Sequence, residues 1–366
     1  MTKAAELAKW GEVSTNGQVS GRRNIIINGA MKVAQRSTSV TGIGGSNGYF
    51  TVDRFHIGKG DTAGRLTMTQ TADGPSGFAN CIKLDCTTAD TSVAAGELLW
   101  LEQKIEGQDL QQFKKGTSDA EQYSVSFYVK GNANATYALA LHDTDNSRHI
   151  VKLFSVTTAW TRITMTFPAD TTGAFNDDNA HSLSVRIWLH AGSTYTSGTL
   201  QSSAWAGLTA ANRAAGITSF FDSTDRTFFL TGLQLEVGSV ATPFEHRSFG
   251  EELVLCQRYC HRINSNGSDD IPIGTGFYNA STTCRVMVTV PTTMRAASTF
   301  TTLDSGLDIL RDSSSDTSIT LDAAIDQSRH GCILNFTGAA STTAGEGVIL
   351  RLGTEAANFI EFDAEL

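Results

Sequence analysis

Leu183-Ser184-Val185-Arg186-Ile187-Trp188-Leu189-His190 is the stretch from which the fold can be read. Apolar side chains fall at every second position, at Leu183, Val185, Ile187 and Leu189. Ser184, Arg186, Trp188 and His190 lie between them. Side chains alternate across a strand with a period of two, so this is a half-buried β-strand and not a helix. The same alternation returns in Tyr123 to Lys130, where Tyr123, Val125, Phe127 and Val129 face one way and Ser124, Ser126, Tyr128 and Lys130 the other. It returns again in Thr161 to Phe167 through Ile163, Met165 and Phe167. Ile82 to Asp85, Leu98 to Ile105 and the longer Thr227 to Val237 are further strand candidates. Many short strands with turn residues between them predict an all-β chain built as an antiparallel sandwich, not alternating βαβ units.

Composition agrees. The chain has 366 residues, 40% of them hydrophobic and 18% charged, with 34 glycines and 5 prolines. This length predicts two domains. No apolar run approaches the ~18 residues of a membrane-crossing helix, and the first ten residues lack the shape of a signal peptide. A net charge of −9 opposes association with nucleic acid, which is not expected as a partner. The six cysteines, at 81, 86, 256, 260, 284 and 332, contain no Cys-x-x-Cys pair. They read as reduced thiols of a protein made in a cytoplasm.

Along the chain, residues 1–23 read as an N-terminal anchor or connector, with a short helix over 1–10. Residues 24–247 hold the first β domain. Residues 248–366 read as a linking helix followed by a small C-terminal β-sandwich. The linking helix rests on Ser248-Phe249-Gly250-Glu251, which has capping-box spacing. Behind it Leu253, Cys256, Cys260 and Ile263 recur at helical intervals, which places the helix at roughly 250–262. Arg285 to Val290, Cys332 to Phe336, Val348 to Leu352 and Phe359 to Phe362 read as strands. The Asp- and Ser-rich stretch 303–325 reads as loops, and Ala204 to Ala215 as a short helical piece.

No catalytic or cofactor motif emerges. Gly42-Ile43-Gly44-Gly45-Ser46-Asn47-Gly48 puts Asn47 where a dinucleotide loop needs its third glycine. Asp143-Thr144-Asp145-Asn146-Ser147 begins like a calcium loop, but Arg148 and Phe154 occupy the positions that require Gly and Glu, so an Asp-stabilised turn is expected. Cys256, Cys260 and His261 have the residue types of a metal site, yet two small buried hydrophobes is the better reading. Asp53, Asp85, Glu97 and Glu102 are isolated acids, and nothing in the sequence pairs them as glycosidase carboxylates. No metal, cofactor or catalytic residue is therefore expected. The polar faces of the strands are more informative. Aromatic rings stack on the C–H faces of sugars while polar neighbours bond the hydroxyls, so Trp188, Arg186, His190 and Tyr128 are candidate glycan-binding residues. The alternative is that Trp188 is covered by a loop, the second domain or another subunit.

Longer blocks carry a resemblance. Arg22-Arg23-Asn24-Ile25-Ile26-Ile27-Asn28-Gly29-Ala30-Met31, with Gln35-Arg36 and Tyr49-Phe50-Thr51-Val52-Asp53-Arg54-Phe55, resembles the opening of a family of tailed-bacteriophage virion proteins of marine or cyanophage type. Leu230-Thr231-Gly232-Leu233-Gln234-Leu235-Glu236-Val237-Gly238, Ala241-Thr242-Pro243-Phe244-Glu245-His246-Arg247 and the following Gly250 to Tyr259 are similar to the same family. Pro291-Thr292-Thr293-Met294-Arg295-Ala296 resembles the small β domain that often follows. The resemblance implies a jelly roll like those of carbohydrate-binding modules, used in tail fibres and related appendages. It also implies a non-enzymatic virion protein, a homotrimer that contacts other virion proteins and a host glycan or receptor. A capsid or tail decoration protein is the alternative, and a polysaccharide-degrading tail enzyme a third reading. Read by residue, Leu233 and Leu235 point inward, Gly238 permits a turn, Pro243 stops ladder pairing and Phe244 is expected to plug the end of the core.

Overall fold

The computed structural model describes residue 3 and residues 22–303, 306–311, 314–316, 319–338 and 343–366. The helix expected over 1–10 and nearly all of the 1–23 connector lie outside them. The chain divides into two compact units, Met1–Glu252 (with Leu366) and Leu253–Glu365.

The first unit is a jelly-roll sandwich. Its strands are β1 (Ser39–Ile43), β2 (Gly48–Tyr49), β3 (His56–Gly60), β4 (Arg65–Thr71), β5 (Cys81–Thr88), β6 (Leu98–Glu106), β7 (Tyr123–Gly131), β8 (Ala135–Asp143), β9 (Arg148–Val156), β10 (Thr161–Phe167), β11 (His181–Ala191), β12 (Ala206–Gly207) and β13 (Thr227–Val237). One sheet has six strands in the order β1-β4-β5-β13-β7-β10, and the other has seven in the order β12-β9-β8-β11-β6-β3-β2. They are called here the β7 sheet and the β11 sheet. Every described pairing within them is antiparallel. The alternating apolar residues meet between the sheets: Val125, Phe127 and Val129 from β7, and Leu183, Val185 and Ile187 from β11, share one buried cluster. Burial of this interleaved apolar surface is the main stabilising contribution.

The closing strand β13 behaves as its sequence dictates. Leu233 and Leu235 are core residues. The polar residues between them bond the exit that follows: Glu236 accepts from the Thr242 N–H at 2.8 Å, and Gln234 Oε1 accepts from the Glu245 N–H at 2.8 Å. Gly238 turns the chain with φ +120°, where a side chain would be strained. Phe244 differs from expectation. It packs outside the β7 sheet against Phe78 and His246, at ring distances of 5.0 and 4.9 Å, because the Gln234 and Glu236 bonds hold the exit against the outer face.

The Asp143 turn forms as expected, with Asn146 N–H donating to Asp143 Oδ1 at 3.0 Å. The cation beside it is a side chain. Lys115, 3% exposed, sits 2.7 Å from Asp143 and 3.1 Å from Asp170. All six cysteines are buried and form no disulfide. Burial pushes the Cys81, Cys86 and Cys332 thiols up to about 11.

The second unit is a smaller sandwich of β14 (Cys260–Asn264), β15 (Ile271–Tyr278), β16 (Thr283–Thr289), β17 (Thr299–Thr302), β18 (Leu307–Arg311), β19 (Ser314–Asp316), β20 (Ile319–Ser328), β21 (Gly331–Gly338), β22 (Gly347–Leu352) and β23 (Phe359–Asp363). Sheets of three and seven strands enclose Val286, Val288, Leu334, Phe336, Leu350 and Phe362. Two expectations are corrected. The helix that opens at the capping box is Phe249–Gln257 and ends early. Ser248 and Glu251 do bond reciprocally, at 2.9 and 3.3 Å. Cys260 and Ile263 instead lie on β14, where pairing with β23 outweighs a helical spacing that two residues satisfy by coincidence. The 303–325 stretch contains β18, β19 and the start of β20 rather than loops alone. Its Asp308, read as a loop acid, is 8% exposed and bonds Arg351 on the neighbouring strand at 2.9 and 2.6 Å.

Candidate functional site

Register builds the outer face of the β11 sheet row by row. His56, Glu102, Arg186, Ala140 and Val151 lie across one row of paired strands. Gly58, Trp100, Trp188, Ala138 and Leu153 form the next. On the other side, Lys104, Ser184, His142 and His149 form a third. All of these point away from the core because they occupy the alternate positions of their strands.

The segment 192–219 folds over part of this face. It holds the short helix Ser193–Thr196 and a turn at Ala210–Asn212, so the helical piece expected over 204–215 is reduced to that turn. Val151 N–H donates to Gln201 O at 2.8 Å and Thr218 N–H to Thr136 O at 2.7 Å, which bonds the segment to β8 and β9. Tyr195, Leu200, Ala214 and Ile217 from this segment pack with Trp188, Leu98, Ala138 and Val151 as a second apolar cluster. Trp188 is 0% exposed beneath it.

The four residues expected to bind a glycan are therefore not one exposed platform. Trp188 is a packing residue. His190 is buried and turned to Ser219 and Glu97, at 2.7 and 3.3 Å. Tyr128 lies on the other sheet, against Phe78 at 5.2 Å, on the opposite side of the sandwich. Arg186 lies on this outer face but is buried as well, at 6% exposure. Two reasons act: a bulge between Trp188 and His190 breaks the alternation and pairs His190 with the core residue Leu99, and where the alternation holds it tells which residues leave the core, not whether another segment covers them.

Residues that the sequence did not single out as glycan ligands complete the face. Arg186 donates to Glu102 at 2.7–2.8 Å and lies over the Trp100 ring at 4.0 Å. His56 Nδ1 is 3.1 Å from Glu102. Burial opposes ionisation of Glu102, but Arg186 and His56 outweigh it and hold the carboxyl well below the usual carboxylate range. Trp100 rests on Gly58, where a Cβ would stand 2.1 Å from the indole nitrogen. Arg213, from the covering segment, lies over Trp188, Tyr195 and Trp100 at 4.9, 5.7 and 5.9 Å. Burial and the nearby Arg186 lower its pKa to about 10, so it stays charged at neutral pH. Its guanidinium has no hydrogen-bond or ion-pair partner among the described residues, in contrast to Arg186. Burial, followed by Arg186 and Arg213, pushes His142 down to about 3, while burial and Arg213 push His149 to about 4. Both imidazoles are neutral at physiological pH.

The face can thus donate hydrogen bonds from planar groups set among aromatic rings. Glu102 is committed to Arg186 and His56, Asp85 is paired with Lys83 at 2.8 Å, and Asp53 bonds Gln35. Trp100 and Glu102 were within reach of a sequence reading, since Leu98 to Ile105 alternates as β11 does. Arg213 was not, because its place depends on how the covering segment closes.

No family model and no curated protein matches the chain. Among solved structures, the chain is similar to the CBM22-1 xylan-binding domain of Paenibacillus barcinonensis Xyn10C, with 11% identity over 60% of this chain and 100% of that one, at a TM-score of 0.29. It is similar to a CBM4 structure at 11% identity, over 50% and 87% of the two chains, with a TM-score of 0.29. A third similar structure is the enzymatically active domain of Bacteriophage CBA120 tailspike protein 4, at 11% identity and a TM-score of 0.30, over 58% of this chain and 21% of that one. At these scores the jelly roll rests on its own strand order, and the likenesses carry no ligand or activity.

Proposed function

We propose that the protein is a non-enzymatic bacteriophage virion component, a tail-fibre or receptor-binding subunit that attaches the particle to a host-surface glycan through the outer face of the β11 sheet. The sequence blocks at Arg22 to Phe55 and Leu230 to Tyr259 support the virion role, assembly in the host cytoplasm and a trimeric state. One observation supports the ligand class: Arg213 offers an unpartnered planar fork of donors among three aromatic rings. Such a group bonds sugar hydroxyls or acidic sugar substituents. Contacts of this kind are weak singly and are multiplied by several copies on one particle.

Adsorption of purified protein to host envelope polysaccharide tests the reading. Arg213→Ala should weaken adsorption about tenfold, the equivalent of one charged hydrogen bond, with the fold kept by circular dichroism. Unchanged adsorption would remove this face as the binding surface. A decoration protein with a purely structural role is the second reading, favoured by the complete burial of Trp188. Localisation on intact particles separates them, since labelling confined to the capsid ends the receptor reading. Sedimentation tests the trimer, and absence of reducing-sugar release from host material is the expected result for a protein without hydrolytic activity.

A further inference from the structure

Elsewhere in the first unit, two chain segments bring Asp90, Glu97 and His190 together. Asp90 and Glu97 lie on the connection between β5 and β6, and His190 near the end of β11. One ligand-capable atom from each lies within 4.8 Å of the others. The residues are 6%, 6% and 0% exposed.

Charge makes the cluster unusual in this protein. Four other buried acids are met by a cation, Glu102 by Arg186 at 2.7 Å, Asp143 by Lys115 at 2.7 Å, Glu252 by Arg247 at 2.9 Å and Asp308 by Arg351 at 2.6 Å, and the buried Glu236 stands apart from other carboxylates and accepts from Gln234 and Thr242. Asp90 and Glu97 have no lysine or arginine partner among the described residues, although their carboxyls stand within hydrogen-bonding reach of each other. Two buried carboxylates in contact require a proton or a cation between them.

The imidazole is placed where it could serve the second option. His190 Nδ1 is 2.7 Å from Ser219 Oγ, and that hydroxyl oxygen already accepts the Phe221 N–H at 3.1 Å. In the tautomer that donates Nδ1–H to Ser219, Nε2 carries a lone pair 3.3 Å from Glu97 Oε2, where a cation would be shared by both; in the other, the Ser219 hydroxyl donates to Nδ1 and Nε2–H donates to Glu97. A ligand histidine is commonly fixed in the first way, through a hydrogen bond from its other nitrogen. On the carboxylate side, Thr62 Oγ1–H and the Ala63 N–H both donate to Asp90 Oδ2 at 2.8 Å, which leaves Asp90 Oδ1 for a cation.

We propose that Asp90, Glu97 and His190 bind a divalent metal ion of the zinc class. One imidazole nitrogen with two carboxylates suits zinc better than calcium or magnesium, which take all-oxygen sets. The ion is structural. Gly192 N–H donates to Glu97 O at 2.8 Å, Thr194 N–H to Ala95 O at 3.0 Å and Asp90 N–H to Phe221 O at 2.8 Å. The metal therefore pins both ends of the 192–219 segment to one connection, and it does so whatever that segment's face binds.

The test uses the full chain purified without chelator or affinity metal. Elemental analysis should give one zinc per chain. Zinc chloride should raise the melting temperature by several degrees relative to the chelator-treated protein. Glu97→Gln should abolish both effects. It should also melt above the metal-free wild type, because it relieves the carboxylate contact, so loss of binding cannot be mistaken for misfolding. The proposal is overturned by wild-type protein that holds no zinc and melts identically with zinc or chelator. It is overturned equally by zinc binding that Glu97→Gln leaves intact, or by a response to calcium and not to zinc.

Discussion

Replacing His149 with leucine probes the cost of keeping an imidazole neutral in the covered part of the β11 sheet. His149 is 2% exposed, and neither ring nitrogen has a hydrogen-bond partner among the described residues. Burial, then Arg213, lowers its pKa from 6.5 to about 4. In the unfolded chain it protonates near 6.5. The folded pKa is the depressed one, so the unfolded state binds more protons between pH 6.5 and pH 4. Stability from this group is thus present above pH 6.5 and is lost as the pH falls through that window. At pH 5 the two protonation equilibria differ about thirtyfold, or about 2 kcal/mol from this one side chain. Wild type should lose that amount between pH 7.5 and pH 5 relative to His149→Leu, which has no proton to bind. All five tryptophans lie before Leu253, so urea unfolding followed by tryptophan fluorescence reports on the first unit alone. Parallel stability profiles for the two proteins over this pH range would refute the assignment of a buried neutral His149.

Three further perturbations follow from the same face. Trp188→Ala should destabilise the first unit by about 3–5 kcal/mol in urea, as expected for a large aromatic removed from a closed core; a cost below 1 kcal/mol would mean that the covering segment does not seal the ring. Arg186→Gln should cost about 3–5 kcal/mol by leaving Glu102 buried without its guanidinium, and the double change Arg186→Met with Glu102→Leu should recover most of it. Equal losses in the single and double variants would show that the pair contributes packing and not charge. Gly58→Ala should displace Trp100, destabilise by about 1–3 kcal/mol and shift the tryptophan emission, because the added carbon would sit 2.1 Å from the indole nitrogen. An unchanged spectrum and stability would place Trp100 elsewhere.

Local order was legible wherever neighbours in sequence decide it. Alternation in β7, β10 and β11 gave strands, and reciprocal Ser248 and Glu251 bonds opened the helix as the capping box requires. The β13 exit followed from Leu233, Leu235 and Gly238. Where two local codes competed, the sequence misled. Cys256 and Cys260 fit a helix stripe, but pairing with β23 drew Cys260 into a strand. Asp308 suggested a loop until Arg351 on a neighbouring strand neutralised it.

The candidate site shows the same division more sharply. The sequence alone determined that Arg186 and Trp188 leave the sandwich core, because a strand's pleat fixes the side to which each residue points; at His190 a bulge after Trp188 breaks the alternation and pairs it with the core residue Leu99. Only the tertiary structure decided that Trp188 is sealed, that Arg213 reaches the open face and that Asp90, Glu97 and His190 converge. Those outcomes depend on how segments distant in sequence close over one another. Closure of that kind is set by the apolar surface and charge each segment finds opposite it, and residue spacing does not encode it.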